Sequence, residues 1–464
     1  MNSEIANPAA EPTTKLGGPV WEWVARLRAD PQRAAAARAS WRALWRSRLL
    51  VLVAGTGTIL AFGYGPQRKA FHAARLTHGF GRLGDLLTAV SARWDSAWYL
   101  AIARSGYGSA LGAHTATPRA AFFPLYPLTL RALAATGLGP VLAGVTVSLA
   151  AFALALYGLH RLATLELAGG LGRALAASQR ARAATLAVSL LAFTPMAFYF
   201  SAVYSESLYL ALSVGMFWSA RNGRWGWVGL LGALAGATRN TGLVLLVPAA
   251  IIYLYGPRED RAPDRAVPRS WATPRYRLRR EALWLLLVPA GAVAYGAYLS
   301  LAGGSPLAPL HAEEVWGRHF VGPLTGTWDG LRAAFDGARQ LLSFQARHVY
   351  FTSGEGSATV SAEHNLLNLA FLVAVVPAVV GVFRRLPLAY GVYTLAVVAL
   401  PLSDPVRAQP LMSLPRFLVV LFPVAMWGGA WLSERPRAQR PALAISAALM
   451  ACFVAQFATW HWVA

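Results

Sequence analysis

Long apolar runs alternate with short polar stretches along most of this chain, and the runs approach the length that crosses a bilayer. Eleven stand out, at residues 49–65, 139–161, 183–200, 206–220, 226–237, 241–255, 282–301, 363–383, 387–402, 414–432 and 441–463. A helix needs roughly 20 apolar residues to cross the hydrocarbon core. Several of these runs are shorter, so their edges are soft. A further stretch, 122–137, is short, is interrupted by Pro124 and Pro127, and carries Arg131. The predicted fold class is all-α: a polytopic transmembrane helical bundle of eleven spans, or twelve if 122–137 crosses.

Charge between the runs sets the orientation. The short basic segments are the N-terminus, Arg173/Arg180/Arg182, Arg221/Arg224, 258–280, Arg384/Arg385 and Arg435/Arg437/Arg440. Cytoplasmic loops carry such an excess of Lys and Arg. All of them fall on one side if 122–137 is interfacial or re-entrant, with the N-terminus inside and the C-terminus outside. If that segment crosses, Arg173–Arg182 moves outside. The loop 66–121 resists the rule, because it holds Arg68, Lys69, Arg75, Arg82, Arg93, Arg104 and Arg119 yet is placed outside. Long loops report orientation poorly, and these cations can meet phosphates instead. The expected organisation is a basic cytoplasmic segment, 1–48, and a transmembrane domain, 49–464, with outer loops 66–121 and 302–362. Within the first segment, 30–48 is predicted as a basic amphipathic helix on the inner leaflet and 1–19 as a disordered tail. These residues lack an early apolar core, so no cleavable signal peptide is expected.

Composition agrees. Of 464 residues, 56% are hydrophobic and 13% charged, against roughly 25% charged in soluble domains. Lys and Arg number 42 against 20 acids, a net charge of +22. In a soluble protein that balance suggests nucleic acid. Here the cations sit between apolar runs, where they face anionic lipid, and no nucleic-acid-binding module is present. The lone Cys452 excludes an internal disulfide and a Cys-rich metal site. The Ala-, Arg- and Gly-rich composition suggests a GC-rich bacterial genome.

Polar residues that interrupt apolar runs are the candidates for chemistry. Asp95 lies beside Trp94, and Trp94, Trp98 and Ile102 make one apolar stripe at i, i+4 and i+8. Tryptophan favours membrane–water interfaces, so Asp95 is expected on a short interfacial helix, with Trp98 as an anchor. The alternative is a plain N-cap or surface acid. Glu206 sits where two apolar runs meet with almost no loop. Pro195 should end or kink the first helix, and Ser205 could cap the second, with Glu206 favoured by its dipole. Arg239 interrupts apolar sequence in the same way and needs a partner, either Glu206 or a ligand phosphate. Arg416 opens a span at the outer surface. The loop 302–362 contains His311, Glu313, Glu314, His319 and His348. Their spacing matches no metal motif, and they read as solvated loop residues.

In order, Trp94-Asp95, Gly106-Tyr107, Phe122-Phe123-Pro124-Leu125-Tyr126-Pro127, Tyr204-Ser205-Glu206, Thr238-Arg239-Asn240-Thr241-Gly242 and Pro415-Arg416-Phe417 resemble the PIG-V family of mannosyltransferases and its bacterial relatives. These belong to the GT-C glycosyltransferases. The resemblance covers roughly 49–432; the N-terminal tail and the last span carry no part of it. It implies a multi-pass enzyme of a bacterial plasma membrane, with interfacial helices in the first outer loop. Such an enzyme takes a sugar, usually mannose, from a polyprenyl-phosphate donor on the extracytoplasmic face, with Asp95 as catalytic base. The acceptor does not carry over, and a glycolipid, a glycan or a protein would serve. The chemistry is compatible: inversion needs one base, and cations suffice to stabilise a departing lipid phosphate. Arg239 and Arg416 are the candidates for that role. Trp94, Tyr99, Tyr204, Glu206 and Asn240 are the other candidate substrate-binding residues. The first loop has no paired carboxylates, so no cofactor is expected and a metal-independent reaction is favoured. The rival readings are a lipid or sugar transporter or flippase, which expects polar groups near the bilayer midplane and internal repeats, and a non-catalytic membrane scaffold.

Overall fold

A computed structural model describes residues 30–65, 80–107, 118–169, 175–264, 273–350 and 357–463. The expected tail 1–19, Arg68, Lys69, Arg75 and Arg173 lie outside these residues. Among the described residues all regular structure is helical, apart from one isolated antiparallel bridge between Arg318 and Val406. The helices are α1 (Pro31–Phe62), α2 (Gly81–Ser91), α3 (Ser96–Ser105), α4 (Leu125–Ala134), α5 (Pro140–Gly169), α6 (Ala177–Phe193), α7 (Glu206–Arg221), α8 (Trp225–Gly236), α9 (Leu246–Tyr255), α10 (Ala290–Leu301), α11 (Ala308–His311), α12 (Pro323–Leu342), α13 (Ala358–Arg385), α14 (Leu388–Ser403), α15 (Leu414–Leu418), α16 (Phe422–Ser433) and α17 (Pro436–Ala458).

Among the described residues four helices are long and apolar enough to cross a membrane: α1, α5, α13 and α17. The turn Arg280–Leu287 and α10, bent by 44°, add a fifth if taken as one span. Shorter apolar helices, among them α8 and α14, are each under 18 residues, so the expected eleven spans are not all matched by helices of spanning length. The segment 122–137 yields only the ten-residue α4, about 15 Å long and half the thickness of a hydrocarbon core. It packs on α5, where the Tyr126 hydroxyl bonds Gly144 O at 3.0 Å and Ser148 Oγ at 2.9 Å.

One boundary differs from expectation. The basic stretch 30–48 is not a separate helix, because α1 runs unbroken for 32 residues. Asp30 caps it by accepting from the amides of Gln32 and Arg33, and Pro31 starts it. Backbone hydrogen bonding passes straight through the change from polar to apolar side chains. Arg48, midway along α1, reaches the carbonyls of Ala192 (3.2 Å) and Ala197 (2.8 Å) and Ser201 Oγ (3.0 Å). It thereby satisfies backbone freed where α6 stops before Pro195.

Small residues let the helices approach closely. At Gly429 on α16, an added Cβ would stand 2.4 Å from Ala183 O on α6, so this contact needs glycine. The two ends of α7 carry separate charged clusters. At its C-terminal end Arg221 binds Glu166 of α5 and, at 3.0 Å, Glu259, while the Tyr390 hydroxyl of α14 donates to Glu166 at 2.8 Å. Near this end Arg385 makes a two-point pair with Glu434, at 2.9 and 2.7 Å. The Arg385 hydrogen bond holds the Glu434 carboxyl below its ordinary pKa. A depressed acid contributes stability above its unfolded pKa, near 4.3, and loses it as pH falls through the folded value. Glu434→Gln is therefore expected to lower stability by roughly 0.2–1 kcal/mol at pH 7 and by nothing measurable near pH 3. Thermal unfolding of the two proteins at both pH values checks this.

Candidate active site

The other end of α7 is where the expected site residues meet. Asp95 occupies the N-cap position of α3, but its side chain makes no capping bond. It pairs instead with Arg416 Nη1, which disposes of the plain-cap alternative. The residue before it, Trp94, has φ +52°, a left-handed conformation that costs about 1–2 kcal/mol for a side-chain-bearing residue. The corner is held from several directions. The Asp95 amide donates to the Tyr204 hydroxyl at 3.1 Å, and that hydroxyl donates to Arg93 O at 3.0 Å. Arg93 is itself buried, with its guanidinium over Trp460 at 4.7 Å. Trp94 packs edge-on against Trp460 and Trp462, at 5.6 and 5.1 Å.

Glu206 opens α7 in the helix's first turn. Its Oε1 accepts from Arg239 Nη1 and from Arg416 Nε, each at 2.6 Å. The result is one continuous chain, Asp95–Arg416–Glu206–Arg239, with two acids and two cations. Ser205 does not cap α7 with its side chain; its hydroxyl bonds Tyr99 at 2.8 Å. Arg416 leaves the first turn of α15, after Ser413 at φ +67°, and lies over the Tyr204 ring at 4.6 Å. Arg239 follows the end of α8, and Asn240 accepts from the Thr241 amide at 2.8 Å.

A cavity of about 120 Å³ opens onto this chain. Of the expected site residues, Asp95, Tyr99, Arg239, Asn240 and Arg416 line it. Trp94, Tyr204 and Glu206 stand behind the wall and support it. The Gly106-Tyr107 motif also supports it, since the Tyr107 hydroxyl donates to Phe122 O at 2.6 Å. Trp98 is half-buried, and its ring stacks on Phe122 at 5.9 Å.

Other lining residues were not expected. Arg318 donates to Asp404 O (2.9 Å) and Met412 O (3.1 Å), and its Nε lies 3.3 Å from Glu313 Oε2. Glu313, read from the sequence as solvated, faces the cavity. Burial pushes its carboxyl above the usual range, an effect that Arg318 opposes. Trp462 lines the cavity too, so the chain after α17 contributes although no motif pointed there. The clue was only a Trp-rich end. Among the described residues no three of His, Cys, Asp or Glu gather as a metal site would require.

A largely helical membrane protein with an acid–arginine cavity at one end of its bundle is the class these features define. The sequence model of the family described as Mannosyltransferase (PIG-V) matches residues 82–253. The match supports a PIG-V-like mannosyltransferase, and hence a glycosyltransferase. The matched stretch includes Asp95, Glu206 and Arg239, whereas Arg318 and Arg416 lie beyond it. No curated protein and no solved structure matches the chain.

Proposed function

We propose that this protein is an inverting, polyprenyl-phosphate-dependent mannosyltransferase of GT-C type. In this reading it spans a bacterial plasma membrane about eleven times and works on the extracytoplasmic face. Asp95 takes the proton of an acceptor hydroxyl as that oxygen attacks the anomeric carbon. The bond from that carbon to the phosphate oxygen breaks on the opposite side, and the lipid phosphate leaves with the electron pair.

The observation that carries this reading is a difference in access. The Asp95 side chain is 17% exposed and Glu206 is 0% exposed. Of these two acids Asp95 alone can meet an acceptor, while Glu206 fixes the arginines. The Nη2 atoms of Arg239 and Arg416 have no partner among the described residues. They are free to donate to phosphate, where guanidinium geometry suits two oxygens. Preorganised cations of this kind stabilise charge that develops on a leaving group, so a metal is not required. The acceptor is a glycolipid, glycan or protein hydroxyl.

Purified protein incubated with labelled polyprenyl-phosphate mannose and membrane extract should move label into a new product. Label transfer only from a nucleotide sugar would overturn the reading of the donor. The side of the membrane has its own test. In Cys452→Ala protein, a cysteine at Ser305 should react with an impermeant thiol reagent on intact cells, and one at Thr273 should not. The reverse pattern would place the site in the cytoplasm.

A further inference from the structure

The mechanism above leaves Glu313, Trp316 and Arg318 unused, though all three line the cavity. We propose that Glu313 and Trp316 form the subsite that reads the hydroxyl groups of the transferred sugar, with Arg318 as the positioning residue that holds Glu313 against it. This rests on the assignment of the cavity to glycosyl transfer.

The wall is built to be rigid. The turn Ala312–Trp316 brings the chain back so that Arg318 pairs with Val406 across an isolated bridge. Its guanidinium, 7% exposed, spans to two backbone carbonyls of the facing loop, those of Asp404 and Met412. Its remaining nitrogen, Nε, meets Glu313 Oε2 at 3.3 Å. That contact leaves Glu313 Oε1 without a protein partner among the described residues, on a side chain still 32% exposed. A fixed carboxylate with a free oxygen accepts hydroxyl donors strongly. Trp316, edge-on to Phe122 at 6.0 Å, sets an indole in the same cavity, an amphipathic surface on which the C–H face of a pyranose can rest.

The proposal assigns this subsite to the donor sugar. The Phe417 ring meets Arg239 at 5.5 Å and Arg318 at 5.7 Å. The phosphate-binding arginine and the arginine that holds Glu313 therefore share one aromatic neighbour. In this proposal a sugar attached directly to the phosphate would lie beside Glu313. The acceptor instead approaches Asp95.

The test uses full-length protein, polyprenyl-phosphate mannose and the set of its monodeoxy analogues. Wild type should lose about 10- to 100-fold in kcat/KM on one or two analogues, the loss expected for a hydrogen bond to a charged group. Glu313→Ala should lose a similar factor on the parent donor, chiefly through KM, and show no further loss on those same analogues. Glu313→Gln, which keeps the shape and one acceptor, should fall between. Arg318→Lys should blunt the same discrimination. Wild-type kcat/KM and discrimination in both Glu313 variants would overturn the subsite while leaving the transferase reading intact. Equal loss on parent and all analogues would also overturn it, since that is the mark of a structural role. If wild type uses no lipid-phosphate sugar, the subsite and the proposed function fall together.

Discussion

Asp95→Asn protein should bind a lipid-linked donor as wild type does, yet transfer its sugar at least ~10²-fold more slowly, the loss typical of a missing general base. The fold should survive. An asparagine oxygen can still accept from Arg416 Nη1, and the Asp95 amide keeps its bond to Tyr204. Arg416 also retains Glu206 through Nε, so no cation is left unpaired. The side chain is partly exposed, and water can cover what the carboxylate gives up. What the variant lacks is the ability to take a proton. Because Glu206 is sealed from the cavity, it cannot substitute. Single-turnover transfer and donor binding, measured on the same preparation, separate the two effects. Turnover at the wild-type rate would show that the acid next to Trp94 is only an anchor for Arg416. Loss of donor binding along with turnover would assign Asp95 to holding substrate.

Why some of the site could be read in advance and some could not follows from where each residue sits. Glu206 and Arg239 each break an apolar run, and an ion in such sequence needs a partner; the structure pairs them. Arg416 was visible because it opens a span at the outer surface. Glu313 and Arg318 lie in a polar loop, where a charge is unremarkable. They become site residues only because the loop folds against residues 404–412, about ninety positions away, and no local pattern encodes that contact. Arg93 was counted merely as a loop cation, but the Trp460 ring and a carbonyl at 3.3 Å receive it. The same distinction governs the fold. Apolar runs located the helices well. The change from polar to apolar side chains near residue 48 is no helix boundary, because an α-helix continues wherever its amides find carbonyls. The segment 122–137 was undecidable from hydropathy, and the helix it forms, Leu125–Ala134, is only ten residues long.

The charge chain itself offers the largest expected effect on stability. Glu206 is fully buried, and one of its oxygens serves both Arg239 and Arg416. The chain of two acids and two cations is electrically balanced. Glu206→Ala strips the partner from Arg239 and leaves Arg416 to Asp95 alone. Breaking a buried pair by removing one member costs about 3–5 kcal/mol, and here one deletion strands two contacts. Arg239→Ala should cost less, because Glu206 keeps Arg416. The double variant restores balance, with Asp95 facing Arg416. Its loss should fall short of the sum of the single losses by about 0.5–3 kcal/mol, the usual coupling for residues in one ionic network. Unfolding of the four proteins of the cycle, followed by heat or denaturant in one detergent, measures this directly. Additive losses would mean that Glu206 and Arg239 act independently, each through separate packing. Activity should follow a different order. The double variant can regain stability, but it lacks an arginine facing the phosphate and should stay inactive.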